Sequence, residues 1–273
     1  MSKIRIGYGS DFHLEFEQNG SNPAVYAPGE HPTVGPDFSG LSEQLDLVIL
    51  AGDIDVGRAA HHYAVAVADY LDRPVVSIAG NHEFWRHHLH RYTEDRRGLA
   101  SEHELVHFLE NERVDFDVRG QKVAVLGATL WTDYTLSRDI GWLMRAQNDF
   151  KRIKVSGDRL RPKDLIELHR ASLNWLAEAI AAAREEANIV IVVTHHSPIP
   201  VYRPEWIYEA TGAFCSDLRA QIGEWQPDVW IYGHLHGPGN DEYIGRTRLL
   251  SKPRGYLGYE PGVEAYELGV IEL

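Results

Sequence analysis

Five apolar stretches along the chain each run into a block of polar residues. Their length and their content of Val and Ile are typical of buried β-strands, which we predict at 3–9, 46–51, 75–79, 189–194 and 228–232. The polar blocks that follow are Asp11-Phe12-His13, Gly52-Asp53, Gly80-Asn81-His82-Glu83, His195-His196 and Gly233-His234-Leu235-His236. In open α/β sheets, ligands bind beyond the carboxyl ends of the strands. The five blocks therefore predict one site.

Apolar residues at helical spacing separate several of these strands. They predict a helix over 57–71 and a long helix over 162–186, with Pro162 in the first turn of the long helix. Two further helices are predicted at 136–150 and 214–224. The buried side of the long helix is predicted to carry Leu165, Leu168, Leu173, Leu176 and Ile180.

Other stretches show no clear period. We predict that residues 18–40, which are rich in Gly, Pro and Asn, form a long surface loop, and that 82–97 is a loop with one helical turn or more. Residues 101–104 begin with Ser and end with Glu, the pattern of a capping box in front of a helix. The roles of the loop at 18–40 and of the histidines that follow residue 86 stay open.

Hairpins stand in the middle and at the end of the chain. Strands at 114–119 and 122–126 flank a predicted turn at Gly120-Gln121, and shorter strands are predicted at 241–244 and 246–251. Because hairpins add antiparallel strands to parallel ones, the pattern predicts an α/β sandwich of two mixed sheets rather than a single parallel sheet. Neither a repeat nor a linker interrupts the pattern, so we predict a single domain over residues 1–273.

Composition narrows the function classes. The net charge of −13 counts against a nucleic-acid binder, which would carry a basic face, but not against a small anionic substrate held through divalent cations. The lone cysteine, Cys215, excludes an intramolecular disulfide. No apolar run reaches the ~20 residues of a membrane-spanning helix, and no apolar segment of a cleavable signal precedes Asp11. We expect a cytoplasmic protein that does not bind a membrane.

The polar blocks combine carboxylate, amide and imidazole groups. Such mixed oxygen and nitrogen ligands suit Mn, Fe, Zn or Co better than Ca or Mg. Buried Asp and His without a cation would be costly, which disfavours a purely structural role. The set is too large for one ion with an open position and fits two ions that share a carboxylate. The candidate ligands are Asp11, His13, Asp53, Asn81, His195, His234 and His236.

The order of these blocks resembles the calcineurin-like metallophosphoesterase superfamily, and the resemblance covers positions 11–236. It implies a four-layer αββα sandwich and the hydrolysis of a phosphomonoester or phosphodiester by two divalent ions, with Mn favoured. It also implies that one ion is held by Asp11, His13 and His236, that the other is held by Asn81, His195 and His234, and that Asp53 bridges them.

The same resemblance implies the mechanism. A hydroxide that bridges the two ions would attack the phosphorus in line. His82, which is not a ligand in the family pattern, would protonate the leaving oxygen as a general acid. Glu83 is the residue that we expect to orient His82. The substrate would be a small-molecule phosphate ester, with nucleotides among the candidates.

Two departures from the family pattern and one further segment refine this resemblance. The protein Ser/Thr phosphatases of the superfamily have Arg and Asp where this chain has Ala79 and Val56, which counts against a phosphoprotein phosphatase of that type. The segment 247–256 resembles small bacterial predicted phosphohydrolases, in which Asn commonly replaces Lys252. The choice between monoester and diester, a non-catalytic scaffold, a DNA exonuclease and the number of subunits stay open.

Several other residues carry weaker expectations. His196 is expected to lie next to a ligand or to face the substrate, Asp55 to pack beside the ligands or to cap a helix, and Arg254 to contact substrate phosphate or to form a surface ion pair. No redox role is expected for Cys215. A solvated surface is expected for His61, His62, His87, His88 and His90. Either stacking on a flat leaving group or ordinary loop packing is expected for Phe84, Trp85, Trp131, Tyr134, Tyr202, Trp206 and Tyr208.

Overall fold

The computed structural model describes residues 3–17, 29–155, 157–201 and 210–273. Part of the predicted surface loop, residues 18–28, lies outside this set, as do Tyr202, Trp206 and Tyr208. Residues 29–40 form turns and bends without helix or strand, as predicted. No helix in the described ranges is long and apolar enough to cross a membrane.

Strands and helices alternate along most of the described chain. The helices are α1 (Arg58–Leu71), α2 (Leu89–Ser101), α3 (Ile140–Ala146), α4 (Asp149–Arg152), α5 (Pro162–Glu186), α6 (Thr211–Phe214) and α7 (Arg219–Trp225). The strands are β1 (Arg5–Gly9), β2 (Leu47–Leu50), β3 (Val75–Ser77), β4 (Val106–Phe108), β5 (Glu112–Val118), β6 (Gln121–Ala128), β7 (Lys154–Val155), β8 (Asp158–Arg159), β9 (Ile189–Thr194), β10 (Val229–Tyr232), β11 (Asn240–Ile244), β12 (Thr247–Ser251) and β13 (Gly269–Glu272).

The strands form two mixed sheets and a small two-stranded one. The first sheet has the order β13-β1-β2-β3-β4, in which only β13 is antiparallel to its neighbour. The second has the order β11-β12-β10-β9-β6-β5, with a parallel centre and an antiparallel strand at each edge. The two mixed sheets confirm the predicted fold class. The additional pair β7-β8 was not predicted.

Alternation along the strands explains the layering. Successive side chains of a strand point to opposite faces, and here both faces of the central strands are apolar. One face of each sheet contributes to a shared core that contains Ile49 and Ile191. On the other faces, Val48 packs with Tyr63 of α1, and Val192 packs with Leu176 of α5. The resulting order is helix, sheet, sheet, helix.

This packing places the carboxyl ends of the parallel strands of both sheets beside each other. The loop after β1 is bonded to the loop after β2, since the amide of Asp11 donates to Gly52 O at 2.9 Å. The amide of Gly233, after β10, donates to His195 O at 3.0 Å, after β9. His195 Nδ1 in turn donates to Ala51 O at 2.9 Å, which links the two sheets. The loops that carry the predicted site are therefore mutually fixed.

Helix α2 overturns two local predictions. Residues 82–97 were predicted to be a loop with one helical turn or more, but the helix is longer than that and runs past Arg97: α2 occupies Leu89–Ser101, with Leu89, Tyr92 and Ala100 buried along one side. The predicted capping box at 101–104 is wrong as well. The hydroxyl of Ser101 donates backwards to Gly98 O at 2.7 Å, so it lies at the end of a helix, and a strand follows. The high polar content of α2 concealed its narrow apolar stripe.

Two further elements differ from the prediction in their boundaries. The predicted helix at 136–150 is divided into α3 and α4, and Asp139 caps α3 by accepting a bond from the amide of Trp142 at 2.8 Å. The hairpin of β5 and β6 is confirmed, but its turn is Arg119-Gly120 rather than Gly120-Gln121. Both turn residues have positive φ, 52° and 80°, as a type I′ hairpin turn requires.

The predicted solvated histidines divide in the structure. His90 is exposed, whereas His62, His87 and His88 are half-buried. The prediction for His61 is wrong, because its side chain is buried on α1. Helix α1 packs against both the first sheet and α2, so more of its surface is covered than the sequence indicated.

Candidate metal centre

Four of the predicted ligands stand on left-handed backbone. The φ angles are 56° for Asp11, 50° for His13, 52° for Asp53 and 67° for His234. Residues with side chains adopt this region rarely, and each such residue costs about 1–3 kcal/mol. Such strained conformations persist only where contacts with the surrounding structure hold them in place, and they cluster at functional sites. The sharp turns aim these side chains into one space.

Asp11, His13 and His236 form the first group. Their ligand atoms all lie within 4.8 Å of one another. His13 Nε2 is 3.0 Å from His236 Nε2, and His236 Nε2 is 3.4 Å from Asp11 Oδ1. Asp11 is fully buried and also accepts a bond from the amide of His234 at 3.0 Å.

Asp53, His195 and His234 form the second group together with Asp11. His195 Nε2 lies 3.0 Å from His234 Nδ1 and 3.3 Å from Asn81 Oδ1. Asp53 Oδ2 lies between the two groups, 3.4 Å from His195 Nε2 and 3.7 Å from His13 Nε2. The structure thus brings all seven candidate ligands together.

The donor set fits divalent ions. His195 Nδ1 donates to a carbonyl, and His236 Nδ1 is 2.6 Å from Glu260 Oε1, so each ring holds one proton at Nδ1 and turns Nε2 towards the site. Each of these Nε2 atoms meets another imidazole nitrogen at 3.0 Å. Two nitrogens bound about 2.1 Å from one ion at a right angle are separated by about 3 Å. A cation bound by both nitrogens of each pair would account for these two short nitrogen–nitrogen distances.

The site is also electrostatically prepared for cations. Burial alone would raise the pKa of Asp53, but the imidazoles of His195 and His82 outweigh it and hold that pKa well below the ordinary value. Burial would lower the pKa of His195, yet Asp53 and Asp11 raise it to about 9. Metal ions would displace the protons that the imidazoles bind, so metal affinity should rise with pH.

His82 lies beside the two groups with its ring held on two sides. Its Nδ1 is 2.6 Å from Glu15 Oε1, and its ring stacks on Trp85 with centroids 3.5 Å apart. Its Nε2 is 4.0 Å from Asp53 Oδ2. His13, Asp53 and His82 also place ligand atoms within 4.8 Å of one another, so distance alone does not separate His82 from the ligands.

Glu15, not Glu83, orients His82. The Glu83 carboxylate accepts bonds from the amides of Asp53 (3.0 Å), Ile54 (2.8 Å) and Gly80 (2.8 Å). Its role is to fasten the loop after β3 to the loop after β2, so the expectation for Glu83 was wrong. Glu15 was missed, although an acidic residue two positions after a predicted ligand was a usable signal.

Two other carboxylates hold ligands without facing the centre. Glu260 accepts from His236, and buried Asp149 accepts from Asn81 Nδ2 at 3.0 Å and from Trp85 Nε1 at 2.7 Å. The Asp149 contact turns the amide oxygen of Asn81 towards His195. Partners of this kind fix ligand orientation and are often worth 10–100-fold in metal affinity. Because Asp149 is 68 positions from Asn81, no local sequence signal indicated it.

Close backbone approach explains two glycines of the polar blocks. A Cβ at Gly52 would lie 2.6 Å from both Gly80 N and His195 Nδ1, and Gly52 has φ of 84°. A Cβ at Gly80 would collide with Asp53 Oδ1. Any side chain at either position would push Asp53 or His195 out of place.

Three other residues named in the sequence analysis, His196, Asp55 and Arg254, are buried. His196 is buried, with Nδ1 3.2 Å from Thr129 O and its ring 4.3 Å from that of His234, so it supports a ligand. Asp55 is buried, and the N-cap residue of α1 is Gly57. Arg254 forms an ion pair with Glu17, but the pair is buried rather than on the surface, and a contact of Arg254 with substrate phosphate stays a prediction.

Cys215 and the aromatic residues are mainly structural. Burial raises the pKa of the Cys215 thiol to about 12, which keeps it unreactive. Phe84, Trp131 and Tyr134 are buried in one apolar cluster. Trp85 differs from them, because it also lines a cavity of about 400 Å³ beside the ligands.

Comparison with known proteins identifies similar chains. A family model described as calcineurin-like phosphoesterase matches residues 4–238. The structure is similar to that of the phosphopantetheinyl hydrolase from Mycobacterium tuberculosis, with a TM-score of 0.66, 16% identity, and coverage of 100% of this chain and 96% of that one. It is also similar to a dimetal phosphatase from Danio rerio, with a TM-score of 0.51, 16% identity, and coverage of 99% and 92%. At such identities the likeness concerns the fold alone. No curated protein matches the sequence.

Removal of the Asp149 carboxylate should weaken metal binding. In Asp149→Ala the amide of Asn81 loses the acceptor that Asp149 provides, so we expect the affinity for one of two Mn²⁺ ions to fall about 10–100-fold. Asp149→Asn keeps an acceptor oxygen and should retain most of the affinity. Calorimetric titration of metal-free protein measures both affinities. Unchanged affinities in Asp149→Ala would refute the role of this residue.

Proposed function

The chain belongs to the calcineurin-like phosphoesterase family, and we propose that it hydrolyses a phosphate ester of a small molecule with two divalent metal ions. The observation that supports this most strongly is the convergence of the candidate ligands of both sheets around Asp53, with facing imidazole nitrogens 3.0 Å apart. The complete set of ligands, together with His82, favours an enzyme over a non-catalytic scaffold.

The two groups of ligands divide between the ions. Asp11, His13 and His236 would hold one ion, and Asn81, His195 and His234 the other. The carboxylate of Asp53, which lies between His13 and His195, would bridge them. When bound, such a pair polarises the phosphoryl oxygens and lowers the pKa of a water for in-line attack on phosphorus. Mn²⁺ is our first choice among Mn, Fe, Zn and Co.

His82 would act as the general acid. Glu15 holds the Nδ1 proton of His82, so the ring presents Nε2 to the centre. Burial alone would lower the pKa of His82, but the carboxylates of Asp53 and Glu15 raise it above its ordinary value, which keeps a proton on Nε2 for the leaving oxygen. Stacking on Trp85 prevents the ring from turning away.

A turnover assay with Mn²⁺-reconstituted protein tests the proposal. It compares p-nitrophenyl phosphate with bis-p-nitrophenyl phosphate, and thereby a phosphatase with a phosphodiesterase. Asp53→Ala should lose both metal and activity, because it removes the shared ligand. Its control is Asp158→Ala, an exposed change away from the centre. The proposal would be contradicted if the metal-loaded protein turned over neither of these two esters, nor a nucleotide, nor a phosphopantetheinyl ester.

Substitution of His82 should separate catalysis from metal binding. His82→Ala should keep two ions per chain, because the other ligands are intact, and lose on the order of 10²–10⁴-fold in turnover of an alkyl ester. The loss should be smaller for a p-nitrophenyl ester, since p-nitrophenolate leaves without a proton. His90→Ala, on the exposed side of α2, is the matched control. Full turnover of the alkyl ester by His82→Ala would refute the assignment, and loss of an ion would make His82 a ligand.

A further inference from the structure

The indole of Trp85 lies between His82 and a charged surface residue. On one side it stacks on the imidazole of His82, with ring centroids 3.5 Å apart and an angle of 29° between the planes. The guanidinium carbon of Arg152 lies over the same indole, 4.3 Å from its centroid. Two groups so close to one ring would collide on the same face, so Arg152 covers the face opposite to His82. The three side chains therefore form one stack.

Helix α4 holds Trp85 both at its edge and at its face. Asp149, at the beginning of α4, accepts a bond from the indole N–H at 2.7 Å, and Arg152, at its end, covers the ring. The amide of Arg86 donates to the carbonyl of Arg152 at 2.8 Å, so the backbone after Trp85 is bonded to the same helix. The helix is fixed in turn, because Phe150 is buried in the same apolar cluster as Trp85.

The guanidinium of Arg152 closes the outer side of the stack. Only 6% of Trp85 is exposed, whereas Arg152 is an exposed residue, so the indole is shielded by a side chain that is itself in water. A planar guanidinium is suited to this position, because it stacks on the ring and its charge is attracted to the aromatic face. Without this cover, the outer face would meet water and the indole would gain room to tilt.

A tilt of the indole would be passed on to the imidazole of His82. The contact between His82 Nδ1 and Glu15 Oε1, 2.6 Å long, holds one edge of the ring but still permits rotation about that contact. Stacking on Trp85 opposes the rotation, since two rings in face contact do not turn independently. The direction of His82 Nε2, which lies 4.0 Å from Asp53 Oδ2, therefore depends on both contacts.

We propose that Arg152 is a positioning residue for the reaction, which holds His82 in place through Trp85. This inference rests on the proposed function, because Arg152 has this role only if His82 donates the proton. From its place behind Trp85, Arg152 would act without touching the substrate. Its removal should leave the metal ligands in place and loosen the proton donor, so the effect is expected where the leaving oxygen is protonated.

Turnover of two esters by Mn²⁺-loaded Arg152→Ala tests this role. An alkyl ester needs a proton on its leaving oxygen, whereas p-nitrophenolate leaves without one. We expect kcat for an n-butyl ester to fall at least about threefold. We expect a smaller change for the p-nitrophenyl ester, with two ions per chain retained. Both esters are monoesters or diesters, whichever the protein hydrolyses. Arg152→Lys keeps a cation that can lie over the ring and should lose less than Arg152→Ala.

Lys151→Ala is the matched control. Lys151 is the exposed neighbour of Arg152 on α4, and successive side chains of a helix point about 100° apart. The control therefore removes the same charge from the same helix without uncovering Trp85, and it should turn over both esters normally. A loss equal to that of Arg152→Ala would attribute the effect to α4 as a whole and overturn the inference.

A second background separates this inference from the proposed function. In His82→Ala, the change Arg152→Ala should have no further effect on the alkyl ester, because the group that it positions is absent. The role of Arg152 would be overturned, and the proposed function left standing, by a further loss in that background. Unchanged turnover, an equal loss with both esters or a lost ion in Arg152→Ala alone would have the same meaning. Full turnover of the alkyl ester by His82→Ala would instead refute the proton donor, and the inference with it.

Discussion

The carboxylate of Asp53 is the contact through which the two sheets become one site. Its Oδ2 lies 3.7 Å from His13 Nε2, on the first sheet, and 3.4 Å from His195 Nε2, on the second. Its Oδ1 accepts the amide of His82 at 2.8 Å, which fixes the block after β3. Gly80 leaves the space that this carboxylate occupies, since a Cβ there would collide with Asp53 Oδ1. The geometry of both ligand groups therefore depends on this buried anion.

An outer set of carboxylates completes the arrangement. Glu15 orients His82, Glu260 orients His236, and Asp149 orients Asn81. Each of them binds the atom that points away from the centre, so the opposite atom is presented to it. This division explains how the rings of His82 and His236 keep defined orientations: a carboxylate holds Nδ1 of each ring and leaves Nε2 for the leaving group or the ion.

The strands, the mixed sheets and the seven candidate ligands could be predicted because each depends on short-range pattern. Apolar runs that end in Asp, Asn and His mark the carboxyl edge of a sheet, and Asp11 to His236 lie where that rule places them. Glu260 and Asp149 could not be predicted, since their roles come from contacts between residues 24 and 68 positions apart. Helix α2 was missed because its buried positions include polar residues such as Arg96.

The most direct test of the account is the metal content and magnetic state of the protein loaded with Mn²⁺. Elemental analysis counts the ions per chain, and electron paramagnetic resonance reports whether they share a bridging ligand, because metals about 3.5–4 Å apart with such a bridge are exchange-coupled. We predict two ions per chain with a coupled spectrum, and in Asp53→Ala a loss of metal and, with it, of the coupled spectrum. A single ion, or two ions with the spectrum of isolated Mn²⁺, would contradict the central role of Asp53.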